Sequence, residues 1–350
     1  MKQFRTLFTI GCLLGSLMNL QAQDPRFSQF YAGPQHLNPA LTGVFAGQLR
    51  VNLNYRDQWA SVLGNNPFRT AAVGVDYRRR VFKGDYFAIG GSVLADRAGV
   101  AQFQQTSGTL GFSYSKQLSG NRYRTSDQFL VAGVQAGVGQ QSFDYGKLWF
   151  SRQFDNGTEQ VNTSLPSGEI LNQKSDIYPD IHAGLLWYAL FDEDKSVYAG
   201  ASMHHINAPI VTFTGQSGQN TFQRYTLNAG GQIPFSNQVS LLPAALAMIQ
   251  GPSLELTTGA NIRYVNHDWK EVALRFGLWN RIVRRAPSGV SMDALIVSSI
   301  FELGQTQLGF SYDINTSSLS TATNRRGAFE ISLIYITPEK FRYKTRCPKF

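Results

Sequence analysis

From Leu49 onward, apolar and polar residues alternate one by one: Leu49, Val51, Leu53 and Tyr55 are interleaved with Arg50, Asn52, Asn54 and Arg56. No helix gathers those four apolar groups on one face. A strand does, because successive side chains point to opposite sides of a sheet. The same signal returns at 71–77, 87–95, 110–114, 130–138, 181–187, 197–203, 225–233, 242–248, 254–264, 272–278, 294–300, 308–312 and 329–335. On the ninth stretch the apolar face reads as Leu242, Ala244, Leu246 and Met248, weakened by Pro243; on the twelfth, less clearly, it reads as Ala294, Ile296 and Ile300.

Fourteen such stretches predict an all-β protein, a transmembrane antiparallel β-barrel whose even strand count brings both strand ends to one side. The connections support this. Those after even-numbered strands are mostly short, near 83–85, 192–194, 236–237 and 303–304. Those after odd-numbered strands are long, at 141–178, 207–223 and 315–325, with Gly251-Pro252 the exception. Short periplasmic turns and long outer loops are the asymmetry of outer-membrane barrels, so Gln23 and Phe350 are both expected on the periplasmic side. Aromatics such as Trp59, Tyr77, Trp187, Tyr198, Trp279 and Tyr335 lie near strand ends, as interfacial girdles do.

The alternate faces, which point into the barrel, carry Arg50, Arg56, Asp76, Arg78, Asp96, Glu255, Arg263, Arg275, Arg281, Asp293, Asp313 and Glu330. They also carry Gly111, Gly133, Gly137, Gly259, Gly277 and Gly309, which leave room or let the backbone bend. Two interiors fit this pattern: a water-filled pore, or a lumen closed by ion pairs and the residues ahead of the first strand. Fourteen strands sit between self-filled small barrels and open porins, and both readings stay open.

Composition agrees with the barrel. Charged residues are 16% of 350, against about 25% in ordinary soluble domains. The mean hydropathy is only −0.20, as expected when an apolar outer face and a polar inner face cancel. Residues 1–22 read as a cleaved secretory signal peptide: Lys2 and Arg5 precede an uncharged, mostly apolar run, and Ala22 suits cleavage. Loss of Lys2 and Arg5 lowers the net charge from +9 to +7. For an exported chain the counterpart of that charge is anionic outer-membrane lipid or lipopolysaccharide, or an acidic protein, rather than nucleic acid. Cys347 is the single cysteine after residue 22, so no internal disulfide is expected.

No catalytic, metal or cofactor chemistry is evident. His204 and His205 are adjacent, so in a strand their rings face opposite sides and share no metal. His182 lies near Asp180 on the lumen face, but no serine stands out to complete a hydrolase triad. No phosphate-binding glycine loop opens a helix.

Three groups of strings carry a family resemblance. At the start are Gln23-Asp24-Pro25-Arg26-Phe27-Ser28-Gln29-Phe30-Tyr31 and Leu37-Asn38-Pro39-Ala40-Leu41-Thr42-Gly43, then the first strand Arg50–Trp59. In the middle are Lys147-Leu148-Trp149-Phe150-Ser151-Arg152-Gln153-Phe154 and Tyr178-Pro179-Asp180. At the end are Gly309-Phe310-Ser311-Tyr312-Asp313-Ile314-Asn315, Arg326-Gly327-Ala328-Phe329-Glu330 and Arg346-Cys347-Pro348-Lys349-Phe350. In this order they resemble PorP/SprF-family proteins of the type IX secretion system of Bacteroidetes. The resemblance implies a non-enzymatic outer-membrane barrel that serves protein secretion and, in some members, gliding motility. It would work with the periplasmic PorK/PorN ring and a PorE-type lipoprotein, or support export of a SprB-like adhesin. A solute porin is the alternative.

The chain thus divides into a signal peptide (1–22), an N-terminal periplasmic or plug segment (23–47), a barrel (48–336) and a basic periplasmic tail (337–350). The two segments the barrel itself does not need hold the candidate partner-binding residues. These are Asp24, Pro25, Phe27, Phe30, Tyr31, Asn38 and Pro39 in the first, and Phe341, Tyr343, Arg346, Cys347 and Phe350 in the second. For the N-terminal segment, filling the lumen and contacting a partner weigh equally; for the tail, partner contact is favoured.

Overall fold

In the computed structural model the alternating stretches become fourteen strands: β1 (Leu49–Gln58), β2 (Phe68–Arg80), β3 (Tyr86–Ala98), β4 (Phe103–Ser119), β5 (Asp127–Ser142), β6 (Tyr178–Asp192), β7 (Lys195–His204), β8 (Arg224–Pro234), β9 (Val239–Gln250), β10 (Ser253–Val265), β11 (Val272–Arg285), β12 (Gly289–Leu303), β13 (Thr306–Asn315) and β14 (Arg326–Ile336). Each pairs antiparallel with the next, and β14 returns to β1, from Arg50 opposite Ile336 to Gln58 opposite Ala328, so the barrel is closed. Closure leaves no sheet edge with unpaired backbone groups, which a lipid-embedded sheet requires. The structure describes residues 23–338 and 347–349, apart from 65, 83, 120–125, 170–171, 193, 215–217, 267–271 and 286–288. The expected signal peptide (1–22) and Phe341, Tyr343, Arg346 and Phe350 lie outside the described residues.

The outward face is an apolar surface. Val73, Val75, Phe87, Ile89, Leu110, Phe112, Val134, Leu185, Leu227, Phe276 and Leu278 are all exposed. Their neighbours along the strands, Arg56, Asp76, Gln135, Asn228, Asp313 and Glu330, are buried in the lumen although polar. On β9 and β12 the expected face is reversed. Leu242, Leu246, Met248, Ala294, Ile296 and Ile300 are buried inside, and Ile249, Val297 and Phe301 face out. Both faces of these strands are apolar, so alternation cannot tell them apart, and the lumen claims the inner set. Trp279 and Tyr198 likewise leave the expected girdle for the interior. Pro243 sits in mid-strand without an amide hydrogen. The β8–β9 ladder skips there, pairing Gly230 with Ala244 and resuming at Ile233 with Leu241.

What fills the lumen is the N-terminal segment. Residues 24–47 form short helical turns, Phe30–Ala32, Pro34–Leu37 and Pro39–Leu41. Proline begins the second and third, where its missing N–H costs nothing. Asn38 caps the third by accepting from Ala40 N–H at 2.9 Å. Phe30, Leu37, Leu41 and Val44 pack against Leu186, Tyr188, Leu246, Met248, Trp279 and Ile296. A hydrophobic core thus lies inside the barrel, a place where a porin holds water. The wall is shaped to it: a Cβ on Gly184 would stand 1.9 Å from Asn38 Oδ1, and one on Gly133 2.5 Å from the Pro39 carbonyl carbon.

The two mouths are distinct. The first residue of β1 and the last of β14 lie at what we term the terminal mouth; the connections 143–177, 205–223 and 316–325 lie at the loop mouth. The segment threads from one to the other. Asp24 touches His205, Arg224 and Gln250 at the loop mouth. Gly47 O accepts from Arg78 Nε at 2.7 Å at the terminal mouth. The expectation that Gln23 shares a side with the end of the last strand is therefore corrected. Both strand ends share a mouth, but Gln23 emerges at the opposite one, because residues 24–47 cross the lumen instead of lying beneath it.

Candidate functional site

Three polar clusters hold the threaded segment. At the loop mouth, Asp24 Oδ2 accepts from His205 Nε2 and from Arg224 Nη1, both at 2.8 Å. His205 Nδ1 lies 2.8 Å from Asp180 Oδ2, within ion-pair distance. His205 has φ +56°, a left-handed conformation that turns its ring inward as the chain leaves β7. Consequently His204 and His205 are both buried, with ring centroids 4.9 and 5.4 Å from His182. This corrects the expectation of opposite faces, which assumed a strand continuing through both residues.

With a carboxylate 2.8 Å from each ring nitrogen, His205 is held as an imidazolium. Burial opposes that charge, but Asp24 and Asp180 outweigh it and hold the pKa up at about 9. Burial would likewise raise the Asp24 carboxyl, yet Arg224 and His205 keep it well below the usual range. Ligand atoms of Asp180, His182 and His205 lie within 4.8 Å of one another, but their hydrogen bonds fit ion pairing and not a metal. His182 Nδ1 accepts from the His205 amide at 3.2 Å, so the neutral ring carries its proton on Nε2, the atom facing Asp180 at 3.6 Å. A metal-ligating histidine instead donates from its second nitrogen.

The pH consequence follows. His205 titrates near 9 in the folded protein and near 6.5 unfolded. The stability it adds is full below about 6.5 and is lost as pH rises through about 9. We expect the stability of the detergent-solubilised protein to be flat below about pH 6 and to decline from about pH 6.5 to 9. By pH 10 the whole contribution, on the order of 3 kcal/mol, should be gone. A His205→Gln variant should lack that fall; if it falls alike, the step belongs elsewhere.

Midway through the lumen, Glu330 accepts from the Ser28 and Gln29 amides at 2.7 and 2.9 Å. Arg56 pairs with Asp313 at 2.8 Å and with Glu330 at 3.2 Å, and Arg281 with Asp313 at 2.9 Å. Ser28 Oγ donates to Asp313 at 2.7 Å and accepts from Arg281 at 2.7 Å and from Arg56. Nearer the loop mouth, Arg26 pairs with Glu255 on β10. The network spans β11, β13, β14 and β1, across the seam where the barrel closes, with the plug bound into it.

At the terminal mouth, Arg50 pairs with Asp76 at 2.7 Å, and Asp76 also accepts from Gly43 N–H at 2.6 Å. Arg78 stacks on the rings of Phe45 and Tyr86, 5.6 and 4.7 Å from their centroids. Arg78 donates to Cys347 Sγ at 3.0 Å, and Lys349 pairs with Asp194 at 3.2 Å. Beside them opens a cavity of about 580 Å³ lined by Tyr31, Phe45, Arg263, Arg275, Glu302, Pro348 and Lys349. Arg263 and Arg275 face each other across β10 and β11. Both pair with Glu302, Arg263 at 2.8 Å.

Of the candidate partner residues, the structure brings seven into the lumen. Phe30 packs edge-on to Trp279 at 5.3 Å and Tyr31 lies 6.1 Å from the same ring. Asn38 donates to the carbonyls of Leu185 and Ala201 at 3.1 and 3.4 Å. Pro39 is buried, Pro25 and Phe27 half-buried, and Asp24 ion-paired. Cys347 is at the terminal mouth, where it lines the same cavity as Tyr31. Sequence reasoning missed Glu302, whose strand was assigned the opposite facing, and the joining of Asp24 to His205, which no local spacing signals.

A family model for the type IX secretion system membrane protein PorP/SprF matches residues 19–335. The chain belongs to the PorP/SprF family. For this PorP/SprF chain no curated protein matches. Among solved structures, the CymD monoaromatic hydrocarbon channel is similar at 13% identity, covering 89% of this chain and 94% of that one, with a TM-score of 0.48. The Ralstonia pickettii toluene transporter TbuX matches at 12% identity over 87% and 92%, TM-score 0.47. CdiB from Acinetobacter baumannii matches at 6% over 82% and 60%, TM-score 0.45. At such values these likenesses carry no functional argument for a PorP/SprF protein.

Proposed function

We propose that this PorP/SprF protein is a closed docking barrel of the outer membrane. Its loop mouth faces outward and its terminal mouth meets the periplasmic type IX machinery, or supports export of a partner adhesin. The observation that carries the reading is the filled lumen: residues 24–47 occupy the space a solute would cross, with an apolar core and paired charges. A solute porin needs that space clear. The terminal mouth supports the direction of docking. There the cavity bounded by Arg263, Arg275 and Lys349 opens beside a tail whose sequence adds Lys340, Arg342, Lys344 and Arg346. Such a basic surface steers acidic partners. The candidate partners are a PorK/PorN ring, a PorE-type lipoprotein and a SprB-like adhesin, and the site residues proposed for them are Phe341, Tyr343, Arg346, Cys347 and Phe350.

Removal of residues 341–350 should leave a heat-modifiable barrel in the outer membrane and abolish secretion of the dependent cargo. Cargo in the medium and barrel mobility on unheated gels are read together. Normal export from the truncated strain would remove the tail from the mechanism. Loss of the barrel itself would assign the tail to folding. Co-purification from envelopes, with mass spectrometry, then names the partner that the tail retains.

A further inference from the structure

The lumen wall addresses the main chain of its occupant along its whole length, as well as its side chains. Glu330 takes two consecutive amides, of Ser28 and Gln29, and Asp76 takes that of Gly43. Carbonyls are met in turn: His36 by Arg224 at 2.9 Å, Leu37 by Ser202 at 3.0 Å, Leu41 by Arg50 at 3.0 Å and Thr42 by Ser113 at 2.6 Å. These contacts come from strands all around the barrel and run the length of the segment. Main-chain recognition supplies affinity with little regard to sequence; a few pockets or charges then set specificity. Here the charges are at the loop mouth, where Asp24 meets Arg224 and His205 and Arg26 meets Glu255.

We infer that the lumen is a binding channel for polypeptide main chain, with residues 24–47 as its resident ligand. A segment of a partner polypeptide that adopts the same succession of short turns, carrying an acidic residue and a basic one two positions later, can take their place. The plug would then be an intramolecular stand-in whose release is a competition between peptides. Its tether gives it the advantage of high effective concentration until a competitor is locally abundant. This inference does not depend on the secretion role proposed above.

The test uses the full protein with a protease site inserted at the exposed Ala46, cut after folding. Cutting removes the tether and leaves the barrel whole. The cut segment should stay bound through gel filtration. It should then exchange for a fluorescent synthetic peptide of residues 23–47. A peptide keeping Asp24, Arg26, Ser28, Phe30, Leu37, Asn38, Leu41, Val44 and the Gly and Pro positions, but altered elsewhere, should bind within about tenfold of the native one. A peptide with Asp24→Asn and Arg26→Gln should bind more than about tenfold more weakly. A cut segment that never exchanges, or one that departs at once with no binding of the added peptide, would overturn the inference. So would an altered peptide that fails as completely as an unrelated one. A second arm needs no cutting: barrel lacking residues 24–45, in a planar bilayer, should be blocked by the added 23–47 peptide and not by its doubly substituted, charge-neutralised form. Equal block by both, or none by either, would count against the channel's selectivity.

Discussion

A barrel lacking residues 24–45 should conduct ions freely, where the intact protein passes little. The segment supplies the apolar half of the lumen core, Phe30, Leu37, Leu41 and Val44. Without it, Trp279, Leu246 and Ile296 border water, and Arg56, Arg281, Glu255 and Asp313 line a hydrated passage. Fourteen strands enclose more space than their own side chains fill, so the barrel does not collapse to close it. We expect single-channel conductance roughly tenfold or more above that of the intact protein. Parallel measurement of heat-modifiability establishes that the variant is folded. A folded deletion variant that remains silent would mean that the wall closes itself. Intact protein with a large, steady conductance would favour the porin reading outright.

Substitution Glu330→Ala should be the most damaging single change in the wall. Glu330 is fully buried, and it answers two plug amides and the Arg56 guanidinium. Its loss leaves Arg56 dependent on Asp313 alone and strands two amides away from water. Removing one partner of a buried, hydrogen-bonded ion pair costs about 3–5 kcal/mol. Because the site joins plug, β1 and β14, the loss should also loosen closure, and the barrel should unfold at lower temperature on unheated gels. Arg69→Ala provides the contrast. Its pair with Asp57 is half exposed at 3.3 Å, and such surface pairs are worth about 0–1 kcal/mol. Equal effects from the two substitutions would mean that the buried network is not what holds the seam.

The barrel was legible because lipid imposes one rule on every strand. Twelve apolar faces point outward as the alternation predicts, among them Leu130, Val134 and Val138 on β5. The rule is silent where both faces are apolar. On β9 and β12 the choice between Leu246 and Ile249, or Ile296 and Val297, is made by Phe30 and Leu37, residues more than 200 positions away. The contents of the lumen were therefore half legible. The charges and glycines on the inner face said that something is accommodated, and Gly184 and Gly133 stand where the Asn38-Pro39 turn presses closest. That the occupant runs from Asp24 at the loop mouth to Gly47 at the terminal mouth was not. Its path is fixed by long-range pairs, Asp24 with Arg224 and Ser28 with Glu330, and by the left-handed residue His205 that swings an imidazolium into the lumen. No local pattern carries those facts.

The threaded lumen is tested most directly by asking which side of the membrane each end of the chain occupies. Short epitope tags placed ahead of Gln23, within the loop at Gly157, and after Phe350 can be labelled on intact cells and again after permeabilisation. The account predicts that the tags at Gln23 and Gly157 label together on intact cells and that the tag after Phe350 labels only after permeabilisation. Tags at Gln23 and Phe350 that label on the same side would contradict it.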